Sequence, residues 1–381
     1  MSWLGRNRVR TPIGMDCGAA RFRGVELIRQ GRTWLVDRMV GREREASAGE
    51  TRTAPFAPGE LSDCLDGGGF RGRNTWLGLA TPELEYTALE LPEAMVSKGG
   101  EELNRAAGFE IQRLLTGDRG AVETRFWTLP ATRVPGPNAF GVAVSRSLID
   151  AILDAARQGG AECIGVDAQA HALCRLGTAL RGGWNDCVWG VLDLGHRQTR
   201  LVLCVDEIPV LVRAAGGGGA AWTERIAGSL SVSLKAAEVL KREHGLSIAQ
   251  DRPENPSATK ETSEQAGGKP LGSELGPLLR GVLRNDLNEM AAEIKRSYEY
   301  VLSCYPARRA ADLILVGGGA RLPGLSDLLG GLLGIPVRAA SELIDEKECR
   351  LDTARFPRQD VDEFAVSIGL VLDEPRTISR R

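Results

Sequence analysis

Three glycine turns, each placed after an apolar strand, carry the clearest chemistry in this sequence. They span residues 16–18, 193–195 and 317–319. Because a glycine has no Cβ, the backbone N–H groups of such a turn can approach a phosphate closely. A carboxylate in the same turn, here Asp16 or Asp193, can hold a Mg²⁺ ion or its water ligands beside that phosphate. Two such turns that face each other would bind a triphosphate from both sides, and the third could pack against the base or the ribose.

The first two turns belong to a pattern that occurs twice. An apolar strand that ends in Asp-x-Gly is found at Asp16 and again at Asp193, 177 residues later. A repeat at this distance predicts two lobes of related build. The length of 381 residues fits two domains at about 100–200 residues each. We place the boundary near Gly182 and Gly183, so that the first lobe covers 1–184 and the second covers 185–381.

Other phosphate-binding and hydrolytic motifs are absent from the sequence. Gly268 and Lys269 are followed by Pro270, so this segment is not a P-loop. A dinucleotide-binding fingerprint that starts at Gly317 would need a glycine where Leu322 stands. No HExxH or GxSxG segment occurs, so zinc proteases and hydrolytic triads are unsupported.

Composition narrows the classes of partner. The 48 basic and 50 acidic residues nearly cancel, and aromatic residues make up 5% of the chain. A nucleic-acid-binding protein usually shows a basic excess or stripe, so we expect no nucleic-acid partner. The sequence has no long apolar run and no apolar signal segment, so we expect a cytosolic protein that meets a membrane only through a partner. The eight cysteines form no CxxC pair and are expected to be free thiols.

The three turns, in this order, resemble the nucleotide loops of the actin/Hsp70-type ATPase superfamily. Within it, the chain is most similar to the type IV pilus assembly protein PilM family, a relative of the cell-division actin homologue. The resemblance lies in residues 14–27 and 193–199, the two phosphate loops, and in 315–325, the adenosine motif. Residues 222–227 and 236–241 are similar to the family's threonine-led helix and its AE-x-x-K helix. The likeness extends over nearly the whole chain.

The resemblance implies an α/β, actin-like (ribonuclease H-like) two-lobe fold. The first lobe would carry an inserted subdomain near 85–142, and the second would carry a helical subdomain near 220–285. Residues 251–274 are rich in Pro, Gly, Ser, Thr and charge, and are predicted to form a flexible loop. The nucleotide would lie in the cleft between the lobes.

The resemblance also implies roles for individual residues, with ATP and Mg²⁺ as the cofactors. Asp16 and Asp193 would lie on the metal side. Asp167 and Gln169 stand where actin-like enzymes can place a water-orienting group and are the catalytic candidates, although Asp167 is equally suited to cap a helix. The residues that would contact the nucleotide come from both lobes: Gly18, Arg23, Gly195, His196, Thr199, Glu238, Lys241, Gly317, Gly318 and Gly319.

The implied function is that of a cytoplasmic, ATP-binding assembly protein of the type IV pilus inner-membrane platform, at most a slow ATPase. Its partner would be the cytoplasmic N-terminal tail of a PilN-like inner-membrane assembly protein. That tail would dock in a groove to which residues 85–142 contribute. The chain would be peripheral to the inner membrane through this partner, and self-association is compatible with the resemblance.

Departures from the family pattern keep a second function open. Ala19, Ala20 and Arg21 stand where the family usually has small hydroxyl residues, and His-Arg-Gln at 196–198 replaces small residues in the second loop. Basic side chains there could strengthen phosphate binding or fill the pocket. The alternative is a nucleotide-free interaction scaffold of the same fold in a pilus or type II secretion-like machine. A sugar or acetate kinase would need a catalytic Asp, for which the sequence offers no persuasive candidate.

Overall fold

Two mixed β-sheets of the same design form the body of the chain. The computed structural model describes residues 9–44, 55–80, 83–115, 120–182, 184–247 and 274–372. The strands of the first sheet are β1 (Val9–Arg10), β2 (Ile13–Cys17), β3 (Arg21–Gln30), β4 (Thr33–Glu43), β5 (Asn74–Leu79), β9 (Glu162–Ala168) and β15 (Leu351–Asp352). They lie in the order β15-β4-β3-β2-β5-β9, and β1 pairs with β3.

The second sheet repeats this arrangement. Its strands are β10 (Cys187–Leu194), β11 (Gln198–Val205), β12 (Ile208–Gly217), β13 (Arg309–Val316) and β14 (Val337–Ala339), in the order β12-β11-β10-β13-β14. In each sheet three consecutive strands form antiparallel hairpins, β2-β3-β4 and β10-β11-β12. The strands on the other side of β2 and of β10 are parallel. Asp16 and Asp193 therefore occupy equivalent places near the carboxyl ends of β2 and β10, as the repeat predicts.

Helices cover the sheets, and two of them share a core between the lobes. α5 (Gln169–Leu180) and α12 (Ala365–Val371) pack in that central core, to which strands of both sheets contribute. α1 (Pro58–Gly67) and α4 (Arg146–Gln158) pack on the opposite face of the first sheet. Neighbouring residues of β10 alternate, so that Val191 enters the central core while Leu192 enters the core of the second lobe.

The C-terminal segment returns to the first lobe. β15 pairs with β4, and α12 packs against β2, where Gly14 leaves room for the carbonyl of Ser367. Gly369 faces the carbonyl of Ala172 in α5 equally closely. The prediction included this segment in the second lobe, 185–381, because a short strand and an apolar helix carry no local signal for the sheet that they join.

A small subdomain is inserted between β5 and α4, and it spans 85–145 where the resemblance implied 85–142. It consists of β6 (Glu85–Leu89), α2 (Glu93–Lys98), α3 (Gly100–Leu114), β7 (Val122–Thr128) and β8 (Ala139–Ser145), with β8 as the central strand. The helical spacing of Leu103, Ala107 and Ile111 places these side chains on one face of α3, against the sheet. Trp127 Nε1 donates to the carbonyl of Pro209 in β12 at 2.8 Å, so the insertion also contacts the second lobe.

The second lobe carries a helical subdomain of its own. It consists of α6 (Gly219–Leu230), α7 (Leu234–His244) and α8 (Leu275–Val282), and it packs with α9 (Arg284–Cys304) on the outer side of the second sheet. Two further helices, α10 (Leu325–Leu333) and α11 (Asp360–Glu363), lie between β13 and α12 in the chain. Residues 251–273 of the predicted flexible loop lie outside the described residues. Within the described ranges, none of the helices combines the length and the apolarity that crossing a membrane requires.

The close contact of α12 with α5 gives a first testable prediction. A Cβ at Gly369 would overlap the Ala172 carbonyl, so we expect Gly369→Ala to lower the free energy of unfolding by about 1–3 kcal/mol or more. Gly228 in α6 is the matched control, because a Cβ there would meet nothing. Gly228→Ala should raise the free energy of unfolding by up to about 1 kcal/mol. Urea unfolding measures both, and equal effects of the two substitutions would contradict this packing.

Candidate functional site

The three glycine turns meet between the lobes. Because β10 and β13 are parallel neighbours, Asp193 lies beside Val316, and the turn at Gly317 begins next to it. The second turn contacts the helical subdomain, since the amide of Gly219 donates to the carbonyl of Gly195 at 2.9 Å. The second and third turns, which are distant in the chain, thus lie side by side at the cleft between the lobes, and Gln169 connects the first turn to them.

Each aspartate of the repeat is paired with an arginine on the neighbouring strand. Asp16 is the cross-strand partner of Arg23, and Asp193 is the cross-strand partner of Arg200. In both pairs the arginine Nη1 donates to the aspartate Oδ2 at 3.3 Å. The arginine follows the aspartate by the same number of residues in both lobes, so the repeat extends beyond Asp-x-Gly.

Gln169, the first residue of α5, links the two pairs across the cleft. Its Nε2 donates to Asp16 Oδ1 at 2.8 Å, and its Oε1 accepts from Arg200 Nη1 at 2.5 Å. The opposite amide orientation would set the NH₂ group against the guanidinium and the carbonyl oxygen against the carboxylate, so these two partners determine the orientation. Arg200 therefore contacts Asp193 of its own lobe and Gln169 of the other lobe.

The charges in this cluster are buried and depend on one another. Asp16 is 6% exposed and Arg200 is 4% exposed. The pKa of Asp16 lies above its ordinary value, because burial and nearby Asp193 raise it more than the charges of Arg23 and Arg200 lower it. Arg23 also donates to Glu363 Oε1 at 3.1 Å, through Nη2. The two arginines therefore neutralise the two aspartates where water is largely excluded.

Packing explains why glycine stands at two positions in these turns. A Cβ on Gly18 would lie 2.9 Å from Arg23 Nη1, and one on Gly317 would lie 2.6 Å from Asp193 Oδ1. Gly317 also has a φ of +84°, which favours glycine. A Cβ on Gly318 would meet nothing. Gly18 and Gly317 thus make room for the aspartate–arginine pairs, whereas Gly318 borders open space.

Glu238 and Lys241 lie together on α7 beside the second turn, where they bind each other. Lys241 Nζ donates to the Gly219 carbonyl at 2.8 Å and to Thr223 Oγ1 at 2.7 Å, and it lies 2.6 Å from Glu238 Oε2. These contacts use all three ammonium donors. Burial alone would raise the pKa of Glu238, but hydrogen bonds from Lys241 and Thr223 outweigh it and lower the pKa to about 2.

Three of the predicted site residues are engaged elsewhere or exposed. Asp167 accepts from Arg175 Nη2 at 2.5 Å, and both line a separate cavity beside Trp76. Thr199 is buried, and its hydroxyl donates to a backbone carbonyl of β12 at 2.8 Å. His196 is exposed at the tip of the second turn. Their roles toward a nucleotide stay predictions.

The cleft also contains residues to which the sequence analysis gave no role, although Thr223 stands in the threonine-led helix of the resemblance. They are Arg200, Thr223 and Glu363. Aligning the two repeats at their aspartates puts Arg23 on Arg200, and this spacing is the signal that the sequence does contain. Arg21, expected as a basic residue able to fill the pocket, instead donates to Glu363 Oε1 at 2.7 Å.

Comparisons with known proteins bear on the fold. The family model for the cell division protein FtsA matches residues 190–369, which are 180 of the 381 residues. A solved structure, the PilM–PilN type IV pilus biogenesis complex, is similar over 98% of this chain and 100% of that chain, with 22% sequence identity and a TM-score of 0.71. The chain has the actin-like fold. This likeness confirms the predicted α/β, two-lobe architecture. It also confirms, at the level of fold, the resemblance on which that prediction rests.

A further solved structure is more distant. The ethanolamine utilization protein EutJ from Carboxydothermus hydrogenoformans is similar over 96% of this chain and 89% of that chain, with 15% identity and a TM-score of 0.48. No curated protein sequence matches this chain significantly.

The actin-like fold implies ATP and Mg²⁺, and the cleft residues do not fit the metal as they are arranged. Mg²⁺ binds carboxylate oxygens in a near-octahedral shell at about 2.0–2.1 Å. Here Asp16 and Asp193 both accept from guanidinium groups. Within the described residues, no group of three or more His, Cys, Asp or Glu side chains could hold a metal ion by itself. The binding of ATP and Mg²⁺ stays a prediction, and the geometry of the cleft disfavours the binding of Mg²⁺.

Glu238 gives a prediction that depends on pH. Because its pKa is lower in the folded chain, about 2, than its ordinary value of 4.5, the carboxylate stabilises the fold above that ordinary value. This contribution is lost as the pH falls toward 2. We expect Glu238→Gln to lower the free energy of unfolding at neutral pH by about 1 kcal/mol, allowing for its partial exposure. The difference from the wild type should shrink as the pH falls from 4.5 toward 2.

Urea unfolding at neutral pH and at several acidic pH values measures this difference. Glu224→Gln, on the exposed side of α6, is the control for loss of an exposed glutamate. A Glu238→Gln effect that stays constant over the acidic range would show that the lowered pKa is not its cause.

Proposed function

We propose that this actin-like protein is an assembly component of a type IV pilus or a related secretion machine, where it docks the cytoplasmic tail of an inner-membrane partner. The observation that carries the proposal is the fold likeness to the PilM–PilN complex, which extends over the whole of that chain. It covers 98% of this chain and so includes the inserted subdomain. The partner would be PilN-like, and the protein would be cytoplasmic and peripheral to the inner membrane through that partner.

The insertion is packed firmly against the body, which suits a preformed docking groove. Trp127 and Phe140 pack edge to face with ring centroids 5.1 Å apart, and the Trp127 ring lies 4.3 Å from that of His171 in α5. Tyr86 stacks on Phe140 at 5.9 Å. The contacts with Phe140 stiffen the insertion itself. The contact of Trp127 with His171 and its hydrogen bond to β12 join the insertion to both lobes.

We propose that the edge of β9 belongs to the docking groove, in addition to residues 85–142, which the resemblance implies for it. β9 is the last strand of the first sheet, and among the described strands none pairs with its outer side. α4 joins the insertion's last element, β8, to β9. An extended peptide can add to such an edge through backbone hydrogen bonds, while side-chain contacts supply specificity. Ile164 in β9 is 44% exposed and offers an apolar contact to the tail.

Binding of labelled tail peptides, followed by fluorescence anisotropy, tests this placement. The peptides are the N-terminal cytoplasmic tails of single-span inner-membrane proteins of pilus and secretion machines. We expect one of them to bind, and Ile164→Glu to weaken that binding about tenfold or more, which is at least about 1.4 kcal/mol. Leu332→Glu is the control, since Leu332 on α10 is similarly exposed at 41%. Failure of every tail to bind, or equal effects of the two substitutions, would contradict the proposal.

The state of the cleft separates two versions of this function. The aspartate–arginine pairs favour the nucleotide-free scaffold. The second candidate is the ATP-binding version, with at most slow turnover, and it is kept because Gly318 borders open space. That version would require Arg200 to leave Asp193, and Lys241 to exchange one of its three partners for the nucleotide.

Thermal unfolding with and without ATP and Mg²⁺ distinguishes the two versions. A nucleotide at one hundred times its dissociation constant would add about 2.7 kcal/mol to the free energy of unfolding. For the scaffold we expect no change in melting temperature. A rise in the wild type that is lost in Asp193→Ala would favour the ATP-binding version instead.

A further inference from the structure

We propose that the guanidinium of Arg200 takes the cation position between Asp16 and Asp193, and that it holds the two lobes together without a divalent metal. The inference rests on the nucleotide-free version of the proposed function. It names the group that replaces the metal, and it identifies one contact that helps to set the relative position of the lobes at the cleft.

The two arginines of the repeat have different second partners, and this difference makes Arg200 the one that is linked to both aspartates. Arg23 contacts Asp16 and Glu363 on α11. Arg200 contacts Asp193 in its own lobe and, through Gln169, the first lobe. Because Gln169 donates in turn to Asp16, one guanidinium is connected to both aspartates.

Burial makes the guanidinium an integral part of the cluster. The side chain of Arg200 is 5% exposed, that of Asp193 15% and that of Asp16 8%. An arginine does not lose its proton in a protein, so it stays charged and needs carboxylates or carbonyl oxygens around it. Without Arg200, two buried carboxylates would face each other with only Arg23 to balance them.

An added Mg²⁺ ion would have to compete with guanidinium groups for both aspartates. Asp16 accepts from Arg23, and Asp193 accepts from Arg200. A third acid, Glu83, is within electrostatic reach of Arg200, and one of its oxygens already accepts from the Ala80 amide at 3.0 Å. A divalent cation would therefore have to displace a guanidinium that the β10-β11 hairpin holds opposite Asp193.

Thermal unfolding of the full chain in EDTA and in millimolar MgCl₂ tests the proposal. The variants are Arg200→Met, Arg200→Lys and the double variant Arg200→Met with Asp193→Asn. Arg213→Met is the control, because Arg213 lies on β12 of the same sheet, is 49% exposed and pairs with Glu293. The assay contains no tail peptide, so its outcome and that of the docking experiment are independent.

We expect the wild type to melt at the same temperature in EDTA and in MgCl₂. Arg200→Met should melt roughly 5–10 °C lower in EDTA, since a buried pair has lost one partner. MgCl₂ should restore part of that loss, and so should Asp193→Asn, which removes the uncompensated charge. Arg213→Met should change the melting temperature by no more than about 2 °C, as exposed pairs contribute little.

Several results would overturn the proposal. These are stabilisation of the wild type by MgCl₂ alone, an Arg200→Met variant as stable as the control, and no recovery with either MgCl₂ or Asp193→Asn. If Arg200→Met does not fold, Arg200→Lys decides, because it keeps the charge. The lysine variant should fold and ignore MgCl₂, and a lysine variant that depends on MgCl₂ would contradict the inference.

Discussion

The joint burial of α5 and α12 between the two sheets is the constraint on which the rest of this structure depends. Both helices lie in one core to which strands of both lobes contribute. They can approach each other because Gly369 of α12 faces the Ala172 carbonyl of α5. This packing fixes the position of α5, and its first residue, Gln169, lies at the cleft. The amide that joins Asp16 to Arg200 is thus positioned by helix packing.

The charge arrangement in the cleft follows from that position. Buried ion pairs add little net stability because desolvation offsets their attraction, whereas loss of one partner is costly. Two pairs joined by an amide therefore specify one relative position of the lobes more than they strengthen the fold. A fixed position suits a protein that presents a docking edge, and the contact of Trp127 with β12 fixes the insertion in the same way. A cleft that opens and closes around a nucleotide would have to break these contacts.

Much of the outline could be predicted because its signals are local. Asp-x-Gly after an apolar strand marks a turn wherever it occurs, and its recurrence at Asp193 indicates a second lobe. Glu238 and Lys241 are neighbours on any helix that contains both. The prediction included the C-terminal segment in the second lobe, because no local signal in α12 indicates which sheet it joins. The clustering of Arg200 with Gln169 was missed for the same reason.

The sequence by itself determined the two related lobes and the residue types that meet at the cleft, because turn chemistry and apolar periodicity act over a few residues. The insertion was implied by the family resemblance. Only the tertiary structure decided what those residues do to one another. Asp16 and Asp193 are compatible with Mg²⁺ as residue types, but the hairpins place Arg23 and Arg200 opposite them. Gln169 and Arg200 are far apart in the chain, and whether an amide reaches a guanidinium depends on distances that only the packed sheets and helices set.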